Sequence, residues 1–129
     1  MKSDKLTVGA WVRNATGDIV KIMSVGEYTL VYRSDKEGIY GAKVMVSSCE
    51  GVKLNNALLT RNRFTKSEET GLWEYDNRED TDDVIGFQLG EIDNGYVFFT
   101  NFRTIPIEYV HELQMALKFC GVNLNFQAD

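Results

Sequence analysis

The stretch "LTVGAWVRNATGDIVKIMSVGEYTLVYRSDKEGIYGAKVMVS" (residues 6–47) decides the fold. It divides into "LTVGAWVRN", "IVKIMSV", "YTLVYR" and "IYGAKVMVS", with turns at "NATGD", "GE" and "SDKEG". Short β-branched and aromatic runs of about five to eight residues, punctuated by Gly, Asn and Asp, are the pattern of a small antiparallel barrel. Alternation breaks inside "IVKIMSV", where Ile22 and Met23 stand side by side, as in a strand that bends around a small core. Gly9, just ahead of Trp11 and Val12, suits the tight approach such a strand needs. The pattern predicts an SH3-like barrel over residues 1–52. About fifty residues bury too little surface to be stable alone, so this unit should lean on the rest of the chain.

Beyond it, "LNNALLTRNRF" reads as a short helix with Asn55 as its N-cap and Leu54, Leu58 and Leu59 as its apolar side. Arg61 and Arg63 fall near its C-terminal end, where cations suit the helix dipole. From Phe64 onward the pattern predicts a three-stranded antiparallel sheet with a C-terminal helix packed on it. "RFTKS" runs through "EETG" to "LWEYD", and "VIGFQLG" turns at "EIDNG" into "YVFFTNF". Asn94 and Gly95 both tolerate positive φ, which predicts a type I′ hairpin. In the last strand Tyr96 and Phe98 face one way and Val97 and Phe99 the other, which predicts cover on both sides. The fold class is therefore α+β, mainly β. Residues 53–129 form a short helix, a β-meander and a C-terminal helix, in one compact unit with the barrel.

"IPIEYVHELQMALKFCG" (residues 105–121) holds the only histidine, the only proline and one of two cysteines. Thr104 can cap a helix, Pro106 fits a first turn, Glu108 suits the N-terminal dipole and Gly121 supplies a stop. Val110, Leu113, Leu117 and Cys120 make an apolar stripe, which His111 flanks. Nine residues of helix separate His111 from Cys120 by roughly 13 Å, too far for a hydrogen-bonded nucleophilic pair. Cys49 could approach His111 only through the fold. The stretch predicts a helix that closes the domain rather than a catalytic pair.

A chain of 129 residues makes one domain, or two very small ones sharing a core. It can bury roughly two-thirds of its unfolded surface, so it needs neither metal nor disulfide to fold. "MKSDKLTVGAWV" lacks the apolar run of a signal peptide, and no stretch approaches the ~20 apolar residues of a membrane span. The expected location is the cytoplasm, with Cys49 and Cys120 reduced. The net charge of −5 resides in "EYDNREDTDD" (residues 74–83), six acids against Arg78; the remaining chain sums to zero. A neutral body lacks the electrostatic footprint of a nucleic-acid binder, so no strong nucleic-acid binding is expected.

One histidine and no C-x-x-C leave a zinc site unsupported. Counted from Asp76, the acidic loop puts Arg78 third, Thr81 sixth and Phe87 twelfth, which is not a calcium loop. No phosphate-binding or nucleophile-elbow motif occurs. The sequence thus nominates no catalytic residue, cofactor or metal ligand, and the chain is not expected to be an enzyme. One local basic patch remains, Lys53, Arg61, Arg63 and Lys66, which Arg13 or Arg33 could extend across the barrel. Trp73 and Tyr75 share a strand face, as do Tyr96 and Phe98. Sheet aromatics can stack nucleobases, although core packing is the commoner reason for them.

Three segments, "VGAWVRN", "LNNALLTRNRFTKSEETGLWEY" and "IEYVHELQMALKFCG", resemble a family of short proteins encoded in phage and mobile-element gene sets of gut bacteria. The most specific match is Tyr109-Val110-His111-Glu112-Leu113-Gln114, against the family's Tyr-Val-His-x-Leu-Gln. The resemblance implies a mobile-element origin and brings no catalytic residues with it. This chain has "GVKLNN" where the family has a Pro-Ile-Pro-Leu-Thr run, and Arg63 where the family has Gly before Phe. A non-Gly residue at a left-handed helix stop costs on the order of 1 kcal/mol, which predicts a differently built turn. The leading expectation is a non-enzymatic accessory protein that binds another protein through strand edges, loops and the acidic stretch. The alternative is a nucleic-acid-associated protein using the 53–66 basic patch and the Trp73/Tyr75 face. A third reading makes the acidic stretch a decoy for a DNA-binding protein.

Overall fold

The computed structural model describes residues 5–76 and 85–129; the opening four residues and 77–84, most of the acidic stretch, lie outside it. The described residues are mainly β and form two antiparallel sheets and a C-terminal helix.

In the first sheet β1 (Trp11–Arg13), β2 (Ile19–Val25), β3 (Thr29–Ser34) and β4 (Ile39–Met45) form a meander. After a 3-10 turn at Val46–Ser48, β5 (Glu50–Gly51) returns to pair with β1, giving the order β4-β3-β2-β1-β5. Its two edge strands, β4 and β5, do not pair with each other, so this sheet is open. Alternation buries Val12, Val20, Ile22, Leu30 and Tyr32 on one face, together with Val46 and Cys49. The break at Ile22–Met23 is a register shift between Ile22 and Ser24 that leaves Met23 exposed. Gly9 takes φ 89° and donates its N–H to the Ile22 carbonyl at 2.8 Å, the tight approach its sequence position suggested.

The rest of the chain adds α1 (Asn56–Arg61), β6 (Phe64–Lys66), β7 (Trp73–Tyr75), β8 (Gln88–Ile92), β9 (Gly95–Phe99), β10 (Thr104–Ile107) and α2 (Val110–Phe119). The second sheet has five strands in the order β10-β9-β8-β7-β6, where the sequence pattern predicted three. β6 pairs with β7 residue by residue, Phe64 with Tyr75 and Lys66 with Trp73. Residues 104–107 form a strand rather than the first turn of the helix. Proline has no N–H to give, but on an edge strand that costs no ladder bond, and Pro106 sits opposite Val97 on the outermost strand. The helix begins at Val110, and Glu112 closes its start by accepting from the backbone N–H groups of Tyr109 (2.9 Å) and Glu108 (3.0 Å). Thr104 is therefore not its cap.

The helix-end readings at Asn55 and Gly121 hold, and the two turn readings do not. Asn55 Oδ1 accepts from the Leu58 N–H at 2.9 Å, and Gly121 stops α2 at φ 82°. The β8–β9 hairpin forms with Ile92 opposite Gly95, but neither Asn94 nor Gly95 takes positive φ, so the turn is not type I′. Gly95 is needed for another reason: a Cβ there would lie 2.6 Å from the Ile107 carbonyl oxygen. Arg63 keeps the left-handed turn, with φ 73°, instead of rebuilding it.

The second core gathers Leu59, Phe64, Trp73, Leu89, Phe98, Val110, Leu113, Leu117 and Cys120. Trp11, on the opposite face of β1 from Val12, also belongs to it. Its indole N–H donates to the Phe126 carbonyl at 2.6 Å, and its backbone N–H to Gln114 Oε1 at 3.0 Å. Strand β1 thus serves both cores. In β9, Tyr96 and Phe98 are buried, and Val97 and Phe99 are half-buried. Among the described residues, no helix is long and apolar enough to cross a membrane.

Candidate functional site

The basic patch sits at the margin of the second sheet, and its cations have partners. Lys53 Nζ lies 3.0 Å from Glu108 Oε1, and Lys66 Nζ lies 3.1 Å from Glu91 Oε1. Arg61 donates to the carbonyl of Asp129 at 3.2 Å. The Arg63 guanidinium lies 5.2 Å from the centroid of the Tyr75 ring. Trp73 is buried, and its indole N–H donates to Glu91 Oε1 at 2.8 Å. That bond, with the one from Lys66, holds the Glu91 carboxyl below the usual range. Tyr75 is half-buried among aromatics, 5.3 Å from Phe64 and 5.9 Å from Phe87 between ring centroids. The structure brings Arg63 to Tyr75, and Lys66 and Trp73 to one carboxylate. It does not present Trp73 and Tyr75 as an exposed pair. Arg13 and Arg33 lie on the first sheet, facing Ile19 and Lys21 across the strands.

A second place is a cleft of about 520 Å³ lined by Lys5, Cys49, Glu50, Tyr109, His111 and Glu112. Cys49, not Cys120, lines this cleft together with His111. The sequence placed His111 beside the buried stripe, yet it is only 5% exposed. The chain leading into α2 is bonded to residues 52–54, Val110 N–H to the Val52 carbonyl and Leu54 N–H to the Glu108 carbonyl. That pairing covers the first turn of the helix on a second side. The His111 ring stacks on Tyr109 at 5.7 Å, and its Nδ1 has no hydrogen-bond partner. Burial pushes the Cys49 thiol up, against a smaller effect of Ser48, and pushes the His111 imidazole down, against the Glu112 carboxylate. Both groups are therefore neutral at pH 7, the opposite of an activated thiolate–imidazolium pair.

The third place is a groove of about 410 Å³ between β10 and α2, floored by Ile105, Pro106, Ile107, Met115 and Ala116. Phe119 forms one wall and is 55% exposed; the Arg103 guanidinium lies over its ring at 5.8 Å. Lys5 lies at the rim, and Phe102, on the loop before β10, is 81% exposed. Sequence reasoning missed this groove because it read residues 104–107 as helix. Phe119 was the available signal, an aromatic off the Val110–Leu113–Leu117–Cys120 stripe on a helix whose core face was already complete.

Among the described residues no group of three or more His, Cys, Asp or Glu side chains could hold a metal ion. The fold and its surface define a mainly β protein of two antiparallel sheets whose C-terminal helix leaves an apolar groove open. No protein family, curated protein or solved structure matches the chain.

Proposed function

We propose that this chain is a non-enzymatic accessory protein, of phage or mobile-element origin, that acts in the cytoplasm by binding another protein. The observation that carries the reading is the β10–α2 groove, an apolar floor with an exposed Phe119 wall. Exposed apolar surface of this kind, rimmed by polar groups, marks association sites. Arg103 and Lys5 supply cations at the rim, and the one rim carboxylate, Glu112, is engaged at the helix start. The matching partner is a segment with apolar side chains and flanking acids. Strand addition is a poor alternative, because Pro106 interrupts the β10 edge. The neutral Cys49 and His111 support the non-enzymatic reading. The first unit is proposed as an SH3-like barrel, since a four-strand meander whose fifth strand returns beside the first has the connectivity of one.

The test is affinity capture from host lysate, with nuclease added, comparing the wild-type chain with Phe119→Ser and Arg103→Glu. A nuclease-resistant catch lost in both folded variants supports the groove. An undiminished catch with Phe119→Ser sinks it.

A further inference from the structure

The outer face of strands β2, β3 and β4 carries charge of one sign; the one strand acid of this sheet, Glu50 on β5, is paired opposite Arg13 on the other side of β1. Register sets Lys21 of β2 opposite Arg33 of β3, and Arg33 opposite Tyr40 of β4, in one cross-strand row that starts from Trp11. Lys43 stands beside this row, opposite Val31. The alternate positions Val20, Ile22, Leu30 and Tyr32 fill the core, so all three bases point outward. Strands β2, β3 and β4 contain no acid; the acids that flank them, Asp18, Glu27, Asp35 and Glu37, sit in turns. Among the described residues no carboxylate pairs with Arg33 or Lys43. Lys21 lies 5.5 Å from the Trp11 ring centroid and donates to Asn125 Oδ1 at 2.8 Å, contacts that leave its charge in place. Tyr40, at the end of the row, is 71% exposed.

We infer that this face, formed by Lys21, Arg33, Lys43 and Tyr40, binds single-stranded nucleic acid. The cations meet successive phosphates and Tyr40 stacks a base. Neighbouring strands lie about 4.8 Å apart, so the sheet sets Lys21 and Arg33 side by side with Lys43 on the next strand, a cluster that a polyanion can satisfy at several points at once. An exposed aromatic ring beside such a cluster gives a base a sequence-tolerant platform. A peptide strand is a poorer fit. The adjoining β4 edge is interrupted by the register shift opposite Gly41 (φ 107°) and carries Lys43, both of which oppose strand addition. The surface is distinct from the groove, and neither proposal rests on the other.

Three phosphate contacts on a single strand give a log–log salt slope of about −2, hence about tenfold weaker binding at 150 mM than at 50 mM salt. The test is fluorescence anisotropy of labelled dT20 and rU20 with the full chain at both concentrations. Binding should be clear at 50 mM and fall about tenfold at 150 mM, a modest affinity in keeping with the neutral body of the chain. Arg33→Ala with Lys43→Ala should flatten the slope to about −0.7. Tyr40→Ala should weaken binding about tenfold with the slope unchanged. Lys53→Ala with Arg61→Ala should change nothing. Far-UV circular dichroism checks that each variant is folded. Absence of binding at 50 mM overturns the inference, as does binding that keeps its affinity and its salt slope in the Arg33/Lys43 double substitution. So does displacement by an equal-length poly-glutamate peptide combined with indifference to Tyr40→Ala, which would make this an acidic-protein site.

Discussion

Trp11 is the residue whose removal should report on both sheets at once. It is 5% exposed, lies on a first-sheet strand and belongs to the second core. A buried tryptophan removes about 150–250 Å² from water, worth about 4–6 kcal/mol at 25 cal/mol per Å². Truncation to alanine typically costs about 3–5 kcal/mol and here also orphans the Phe126 carbonyl, for about 1–3 kcal/mol more. That total approaches the whole stability of a small domain, so Trp11→Ala is expected not to fold. Trp11→Phe is the informative variant. It keeps a ring in the site but loses the indole N–H and part of the volume, and should cost about 2–3 kcal/mol. Urea unfolding is followed by far-UV circular dichroism for both sheets and by the fluorescence of Trp73 for the second. The midpoint should fall by the same amount with both probes, in a single coincident transition. If Trp73 fluorescence kept its wild-type midpoint while the dichroism shifted, β1 would not join the two cores.

Three other outcomes follow from local features. At Arg63, φ 73° favours glycine, so Arg63→Gly should be more stable than Arg63→Ala by about 1 kcal/mol in the same unfolding assay, and equal stabilities would contradict the left-handed turn. His111 is buried and its imidazole is pushed below its ordinary value of about 6.5, so the unfolded chain binds the extra proton. Its contribution is complete above about pH 6.5 and is lost as pH falls below it. The urea midpoint should drop from pH 7.5 to 5.5, by less in His111→Gln, and an identical drop in both proteins would assign the effect elsewhere. Burial raises both thiols, so Cys49 and Cys120 should react with a disulfide reagent at pH 8 only as fast as the chain opens; rapid stoichiometric labelling of Cys49 would revive the His111 cleft as a reactive site.

What was legible in the sequence is what local chemistry decides. The turns around the first four strands, the Asn55 cap, the stripe from Val110 to Cys120 and the Gly121 stop each depend on residues within a few positions of one another. The broken alternation at Ile22–Met23 even marked a register shift. What was not legible depends on partners far along the chain. Thr104, Pro106 and Glu108 make as good a helix start as a strand, and only the pairing of residues 104–107 with β9 decides between them. Whether Lys53 and Lys66 are free depends on Glu108 and Glu91, 55 and 25 residues away. His111 is buried because residues 52–54 lie across the helix start, which no periodicity within the helix reveals.

Charge is the clearest case of a count that hides a pattern. Outside the acidic stretch the chain sums to zero, which argues against any strong polyanion site. Yet a sheet separates side chains with a period of two, so the sum that matters is taken over one face. In "IVKIMSV", "TLVYRS" and "IYGAKVM" the bases occupy the positions that alternate with the core residues, and the compensating acids fall in the turns between strands. A neutral total therefore becomes a face with three like charges. The same reasoning limits its strength: three cations on a chain of net charge −5 give a shallow salt slope and weak binding at physiological salt. The cationic row lies on the first sheet and the apolar groove on the second, so single substitutions can separate them. Phe119→Ser should abolish protein capture and leave oligonucleotide binding intact, and the Arg33/Lys43 double substitution should leave capture intact while weakening oligonucleotide binding and flattening its salt slope. Loss of both activities in either variant would mean one shared surface, and the division of labour between the sheets would be wrong.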